Sequence, residues 1–189
     1  LGIDIHEVVN ASATKPYGFM PHYPGPGVGG HCIPVDPYYL IDDARKRGIS
    51  LSLVESAGKI NEDQPKKVVA KTLEILKKTN GHKTTHKVLL LGLAYKKDIE
   101  DHRESASFKI WKLLEENKIF VSYHDPHIPS WNGQASQELS SKTLTENDVI
   151  IIVTDHESVD YENLTSYQKP ILDTRNVLRR NGFPFVYEI

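Results

Sequence analysis

From Lys87 onward, short apolar runs alternate with mixed polar stretches: KVLLLGLAY, IFVSYHD, DVIIIVTD and PILDTRNVL stand out, and FPFVYEI closes the chain. Short, almost continuous apolar runs bounded by polar residues predict strands buried on both faces, the pattern of a parallel sheet. Between the first two runs, Glu104 to Asn117 carries Phe108, Ile110, Trp111, Leu113 and Leu114 on one side and predicts a helix. FPFVYEI is expected to add an edge strand. Strands alternating with helices imply an α/β fold with right-handed crossovers.

Upstream the period changes. Val54, Ala57, Ile60, Val68, Val69, Leu73, Ile75 and Leu76 recur at three- and four-residue intervals, which predicts a long helix from about Leu51 to Lys78. Pro65 is expected to kink it or to mark a fresh start, with Asn61 or Asp63 as cap. A shorter helix around Tyr39, Leu40, Ala44 and Arg45 is expected to end at Gly48. The polar stretch TNGHKTTHK reads as a linker, with Gly81 as helix C-cap. Residues 15–40 are dense in Gly, Pro and aromatics, which predicts an ordered loop, and long ordered loops tend to be functional. Leu1 to Asn10 reads as the end of an amphipathic helix already under way. With no initiator Met, the chain is expected to be cut from something longer.

The chain has 189 residues, 39% hydrophobic and 25% charged, with a net charge of -2. That length suits one large domain or two small ones. The charge gives no reason to expect nucleic acid or an anionic membrane as a partner. No apolar run approaches the roughly 20 residues of a membrane span. The start has no basic segment or cleavage site of a signal peptide. Cys32 is the single cysteine, so an intrachain disulfide and a multi-thiolate zinc site are excluded, and a cytoplasmic location is expected. His124 and His127, flanking Asp125 and Pro126, read as loop residues; no metal is expected.

Ligands of open parallel sheets bind beyond the carboxyl ends of the strands. Those ends carry Lys96, Asp125 and Arg175 here, and the two cations suit a phosphorylated or carboxylated ligand. The first strand-to-helix turn offers only Gly92, short of a dinucleotide fingerprint. The densest local signal is Pro24-Gly25-Pro26-Gly27-Val28-Gly29-Gly30-His31-Cys32-Ile33-Pro34-Val35-Asp36-Pro37. Its glycines allow close backbone approach to a ligand, and its prolines stiffen the turn. A thiol near backbone amides and an imidazole suits a nucleophile, with Asp36 four residues on to orient or deprotonate a water. The alternative is a small buried cysteine in a tight turn. A Cys32–His31 hydrolytic dyad is the weaker catalytic reading, because adjacent residues rarely face each other and no orienting partner is evident.

The segment G-x-G-G-H-C-I-P-x-D-P resembles the catalytic-cysteine signature of the UDP-glucose/GDP-mannose dehydrogenase superfamily. Its flanks, KPYGFMPHYPGPGVGGHCIPVDPYYL, look most like the branch acting on UDP-N-acetylhexosamines. Leu91 to Asp98 (LGLAYKKD), with Asp101, His102, Arg103, Glu104 and Ser105, resembles the opening of the family's C-terminal nucleotide-sugar domain. Asp173-Thr174-Arg175-Asn176 resembles its late D-x-R. The three blocks follow the family's order and span nearly the whole chain.

The resemblance implies residues 1–80 as the end of a central helical dimerisation domain, with the long connecting helix, and 81–189 as a Rossmann-like UDP-sugar-binding domain. It implies NAD-dependent oxidation of a sugar C6 alcohol to a carboxylate through a thiohemiacetal and a thioester on Cys32, with Asp36 activating or orienting water. Gly27, Val28, Gly29 and Gly30, with Tyr23, would line the uridine and sugar. Tyr95, Lys96 and Arg175 would meet the substrate, and Arg103 would face NAD. The family's N-terminal NAD domain has no counterpart here, so this chain alone is expected to be inactive. As an isolated piece it is alternatively a non-catalytic UDP-sugar-binding and dimerisation module. A homodimer through the connecting helix is implied.

Overall fold

The structure, a computed structural model, describes residues 2–183 and 186–187. Three helices come first: α1 (Ile5–Ala13), α2 (Asp36–Lys46) and α3 (Ser52–Asn80). The α/β part follows as β1 (His86–Leu91), α4 (Ala106–Glu116), β2 (Ile119–His124), a small hairpin of β3 (Ser130–Trp131) and β4 (Gln134–Ala135), α5 (Ser141–Glu146), β5 (Val149–Ile152), α6 (Tyr161–Ser166), β6 (Ile171–Asp173), α7 (Val177–Arg180) and β7 (Val186–Tyr187). The main sheet runs β2-β1-β5-β6-β7, every neighbouring pair parallel. The chain winds outward from β1 to β2, then returns past β1 to β5. The crevice beyond the ends of β1 and β5 is therefore the topological switch point, where such sheets bind ligands.

Alternation along each strand divides the core. Val88 and Leu90 of β1 and Ile151 of β5 pack with Val68, Ile75 and Leu76 of α3 and Ile110 and Leu114 of α4. Leu89, Leu91, Ile150 and Ile152 face the other way, onto Leu144 of α5, Leu164 of α6 and Leu178 of α7. Successive side chains point to opposite faces, and both faces are covered by helices, so the strands read as unbroken apolar runs.

The predicted strands and the predicted helix at 104–117 all form, with shifted bounds. β1 stops at Leu91 instead of reaching Tyr95, because Gly92 turns the chain at φ +93° and its N–H donates to the His124 carbonyl at 2.8 Å. The expected edge strand is present as Val186–Tyr187, paired with β6; the rest of FPFVYEI beyond Phe183 lies outside the described residues. The hairpin and the short helices α5, α6 and α7 were not predicted.

Three helical expectations are corrected. The first helix is not the tail of an earlier one: it begins at Ile5, with the Asp4 carboxylate accepting from the His6 N–H. Within the expected loop 15–40, helix α2 already starts at Asp36, with Pro37 in its first turn, where a proline's fixed φ and missing N–H cost nothing. The long helix runs 29 residues without a break, and Pro65 sits buried inside it. Neither Asn61 nor Asp63 caps a new start. Packing of the helix against the sheet outweighs one lost backbone hydrogen bond. Gly81 does end α3, but with a right-handed φ of -62° instead of the left-handed cap.

Candidate active site

The Pro/Gly loop is built into the α/β part. Gly29 and Gly30 are buried. A Cβ on Gly29 would lie 2.6 Å from Tyr95 Cβ and 2.8 Å from the Glu104 carbonyl oxygen, closer than packed atoms come. Gly30 takes φ +80° against the Tyr95 ring, and its N–H donates to the Arg103 carbonyl at 3.0 Å. Asn61 of α3 holds the loop from the other side, accepting from the Val28 N–H and donating to the Val28 carbonyl. Two of the amides expected to face a ligand, those of Val28 and Gly30, are thus already paired within the protein. Val28 itself is exposed, beside an apolar cavity of about 830 Å³ between the loop, α2 and α3.

Directly after Gly30 the chain makes a helical turn, the Val35 N–H donating to the His31 carbonyl at 2.9 Å. Cys32 is exposed on this turn, which removes the reading of it as a small buried hydrophobe. Asp36 follows one helical turn later, on the same face as the thiol. Its Oδ1 lies 2.8 Å from His31 Nδ1. The orienting partner that sequence reasoning did not find for His31 is therefore Asp36. Across from the turn, Arg103 is within electrostatic reach of Cys32 and Tyr95. Its guanidinium is held by Asp101, with Nε 3.0 Å from both carboxylate oxygens. That pairing holds the Asp101 carboxyl down at about 2.

Tyr23, Lys96 and Arg175 meet elsewhere, in a polar cleft of about 800 Å³ between α1, the start of the Pro/Gly loop and the ends of β5 and β6; Arg179, Arg180 and Asp155 also line it. The Tyr23 hydroxyl donates to Asn10 Oδ1 at 2.8 Å, and its ring stacks on His6. Arg175 is fixed: its Nε donates to the Val153 carbonyl at 2.7 Å, and burial pulls its guanidinium below its usual range, against the carboxylates of Asp155 and Asp173. Arg180 pairs with Asp155 and Arg179 with Asp4. Lys96 is exposed and has no hydrogen-bond or ion-pair partner among the described residues. The expected site residues thus form two groups: Cys32, Asp36, Arg103, Tyr95, Gly29 and Gly30 on one side of the 92–105 turn, and Tyr23, Lys96 and Arg175 on the other. Adjacent in sequence, Tyr95 and Lys96 join them.

The same turn is held from behind by a buried carboxylate. Asp125 Oδ2 accepts from the N–H groups of Leu93 and Ala94, and Oδ1 from those of His127 and Ile128. Burial pushes the Asp125 carboxyl up, but the His156 hydrogen bond and the backbone amides outweigh it and hold it at about 2. The N–H groups of Gly92, Leu93 and Ala94, directly after β1, all donate to protein acceptors, so none of these three is spare for a pyrophosphate. Asp98, His127 and His156 bring ligand atoms within 4.8 Å of one another. However, the His156 Nδ1 lone pair accepts the Asp98 N–H at 3.0 Å and its Nε2 faces Asp125.

Comparison with known proteins supplies the context. Residues 1–63 match the central-domain model of the UDP-glucose/GDP-mannose dehydrogenase family, and residues 89–180 match its UDP-binding-domain model. The chain belongs to the UDP-glucose/GDP-mannose dehydrogenase family. The UDP-N-acetyl-D-mannosamine dehydrogenase of Methanococcus vannielii is 35% identical over 96% of the chain and 42% of its own length. The UDP-N-acetyl-D-glucosamine 6-dehydrogenase of Pseudomonas aeruginosa is 36% identical over 68% of the chain and 30% of its length. The solved UDP-D-ManNAc dehydrogenase of Pyrococcus horikoshii superposes with a TM-score of 0.81 at 31% identity, covering 100% of this chain and 44% of that one. The chain thus spans less than half the length of these relatives. Within the dehydrogenase family's own division, Cys32 falls in the central domain, and Tyr95, Lys96, Arg103 and Arg175 fall in the UDP-binding domain.

Proposed function

We propose that this chain is the C-terminal half of an NAD-dependent UDP-sugar 6-dehydrogenase acting on a UDP-N-acetylhexosamine, with residues 1–80 closing a central dimerisation domain and 81–189 binding the nucleotide sugar. The observation that carries the reading is the solvent-exposed Cys32, held on a turn whose glycines pack against the UDP-binding part. The cationic cleft around Lys96 and Arg175 at the switch point supports a diphosphate ligand. The exposed apolar side chains Leu53 and Ile60 on α3 and Leu40 on α2 support a homodimer through these helices. No helix among the described residues is long and apolar enough to cross a membrane; with the lone cysteine, a cytoplasmic enzyme is the proposal.

In this reading NAD, held by a domain outside this chain, is the hydride acceptor. Lys96, Arg175 and Tyr23 fix the nucleotide sugar so that its C6 reaches Cys32. The thiolate adds to the C6 aldehyde and keeps it on the enzyme between the two oxidations. The thiohemiacetal so formed loses hydride to become a thioester. Water, activated at Asp36, then hydrolyses it. Arg103, within electrostatic reach of the thiol, compensates its negative charge and borders the cofactor side.

The test is Cys32→Ser in the complete polypeptide carrying the NAD domain, with UDP-N-acetylglucosamine and UDP-N-acetylmannosamine as substrates. The expected result is loss of carboxylate formation with UDP-sugar affinity kept within about threefold, a difference of about 0.6 kcal/mol. Carboxylate formed at the wild-type rate would refute it.

A further inference from the structure

Resting on that reading, we infer that Asp101 is a positioning residue: its carboxylate clamps one edge of the Arg103 guanidinium and presents the other edge to a ligand oxyanion beside the Cys32 turn. Four hydrogen bonds make the clamp. Asp101 Oδ1 accepts from the Arg103 backbone N–H and from Nε, each at 3.0 Å. Oδ2 accepts from Nε at 3.0 Å and from Nη2 at 2.6 Å. The Nε side of the guanidinium is thereby used. Nη1 has no partner among the described residues, which leaves the fork of Nη1 and Nη2 for two oxygens of a phosphate or carboxylate.

The clamp stands on a turn that is fixed at several points. The Asp101 carbonyl accepts from the Tyr95 N–H at 3.0 Å, and the Arg103 carbonyl accepts from the Gly30 N–H, two residues before the thiol, at 3.0 Å. Glu104, next in the chain, takes a left-handed φ of +51°, which costs a non-glycine residue energy and persists where the surroundings impose it. The backbone thus ties the clamp to Tyr95 on one side and to the Cys32 loop on the other. Arg103 is within electrostatic reach of both Cys32 and Tyr95. Its side chain is 72% exposed, against 28% for Asp101. An ion pair so open to water contributes little to stability, so folding alone gives little reason to hold the guanidinium still. An arginine already ordered when a ligand arrives lowers the entropic cost of binding it. The Asp101 carboxyl, held at about 2 by Arg103, is charged at neutral pH. Two ligands of the proposed reaction carry such an oxyanion: NAD, with its diphosphate, and the product, with the carboxylate formed at the sugar C6.

The experiment is titration calorimetry on the complete polypeptide carrying the NAD domain, with NAD, with UDP-N-acetylglucosaminuronate and with UDP. Wild type is compared with Asp101→Ala, Asp101→Asn, Arg103→Ala and the Asp101→Ala/Arg103→Ala double variant. Arg103→Ala is expected to weaken NAD or the uronate about tenfold, and the ligand affected names the oxyanion. Asp101→Ala should weaken the same ligand about fivefold, through the ordering of one freed side chain. Asp101→Asn still offers an oxygen to the backbone N–H but not a carboxylate to the guanidinium, so it should lose nearly as much. UDP affinity should be unchanged, because Lys96 and Arg175 line the other cleft. In the Arg103→Ala background, Asp101→Ala should add nothing. That arm separates positioning from turn structure, because the bond from the backbone N–H of residue 103 to Asp101 Oδ1 does not need the arginine side chain. The inference is overturned if Asp101→Ala costs as much in that background as alone, if Asp101→Asn binds like wild type, or if all three ligands weaken equally. If Arg103→Ala weakens neither NAD nor the uronate, the placement of Arg103 in the site fails with it, whereas the thiol reading stands or falls on Cys32→Ser.

Discussion

Asn61, in the middle of α3, grips Val28 with both ends of its amide: Oδ1 is 2.7 Å from the Val28 N–H nitrogen and Nδ2 is 3.2 Å from the Val28 carbonyl oxygen. One side chain thereby fixes the register of the loop four residues before the thiol. Pro65, one turn later, has no N–H to offer the Asn61 carbonyl, which lies beside Gly27. The long helix is thus a template for the Pro/Gly loop.

Asn61→Ala removes both hydrogen bonds and leaves an amide and a carbonyl to water. The expected cost is about 1 kcal/mol, small because Val28 is exposed and water can replace the side chain. The effect should be local: amide hydrogen exchange across residues 24–34 accelerates while the strands keep their protection. Unchanged exchange in that segment would show that the glycine contacts with Tyr95 and Glu104 hold the loop alone.

Asp125 gives a pH-dependent prediction. Its carboxyl is held at about 2 in the folded chain, below its ordinary value of 3.8. A depressed carboxyl contributes stability that is complete above its unfolded value and is lost as pH falls through the folded one. Stability should therefore drop between about pH 4 and 2, by on the order of 2 kcal/mol from this group. Asp125→Asn replaces one of the two acceptor oxygens by an NH2, setting donor against donor at one N–H pair (Leu93 and Ala94, or His127 and Ile128), and should cost about 3 kcal/mol at neutral pH while flattening that acid limb. Urea unfolding at several pH values reads both effects.

Lys96 and Arg175 should separate binding from folding. Lys96→Ala is expected to weaken UDP binding about tenfold, the loss of one charge-assisted hydrogen bond, with no change in stability, because the amine has no partner among the described residues. Arg175→Ala should weaken UDP binding by at least as much and also destabilise the fold by about 1 to 2 kcal/mol, because its Nε satisfies the Val153 carbonyl. Titration calorimetry with UDP, paired with thermal unfolding of each variant, checks both. Equal destabilisation by the two substitutions would contradict the geometry.

Much of this was legible in the chain itself. The apolar runs 87–95, 119–125, 148–155 and 170–178 marked the strands because a sheet covered on both faces needs apolar residues at every position, which no other local structure with these lengths requires. The short helices α5, α6 and α7 were not legible, since four to six residues give too little period to register. Pro65 misled for a related reason: a proline's local cost is fixed, but the packing of Val68, Val69 and Ile75 that outweighs it is tertiary.

What the sequence determined was the chemistry on offer: one thiol in a stiff glycine turn, a carboxylate one helical turn on, and cations at strand ends. These follow from residue type and spacing, which are local. Only the tertiary structure decided their use. It filled the faces of Gly29 and Gly30 with Tyr95 and Glu104, spent the amides of Gly92, Leu93 and Ala94 on His124 and Asp125, and tied His31 to Asp36. A donor's partner depends on what folding brings within about 3 Å, and residues far apart in sequence compete for it on terms that no local pattern records.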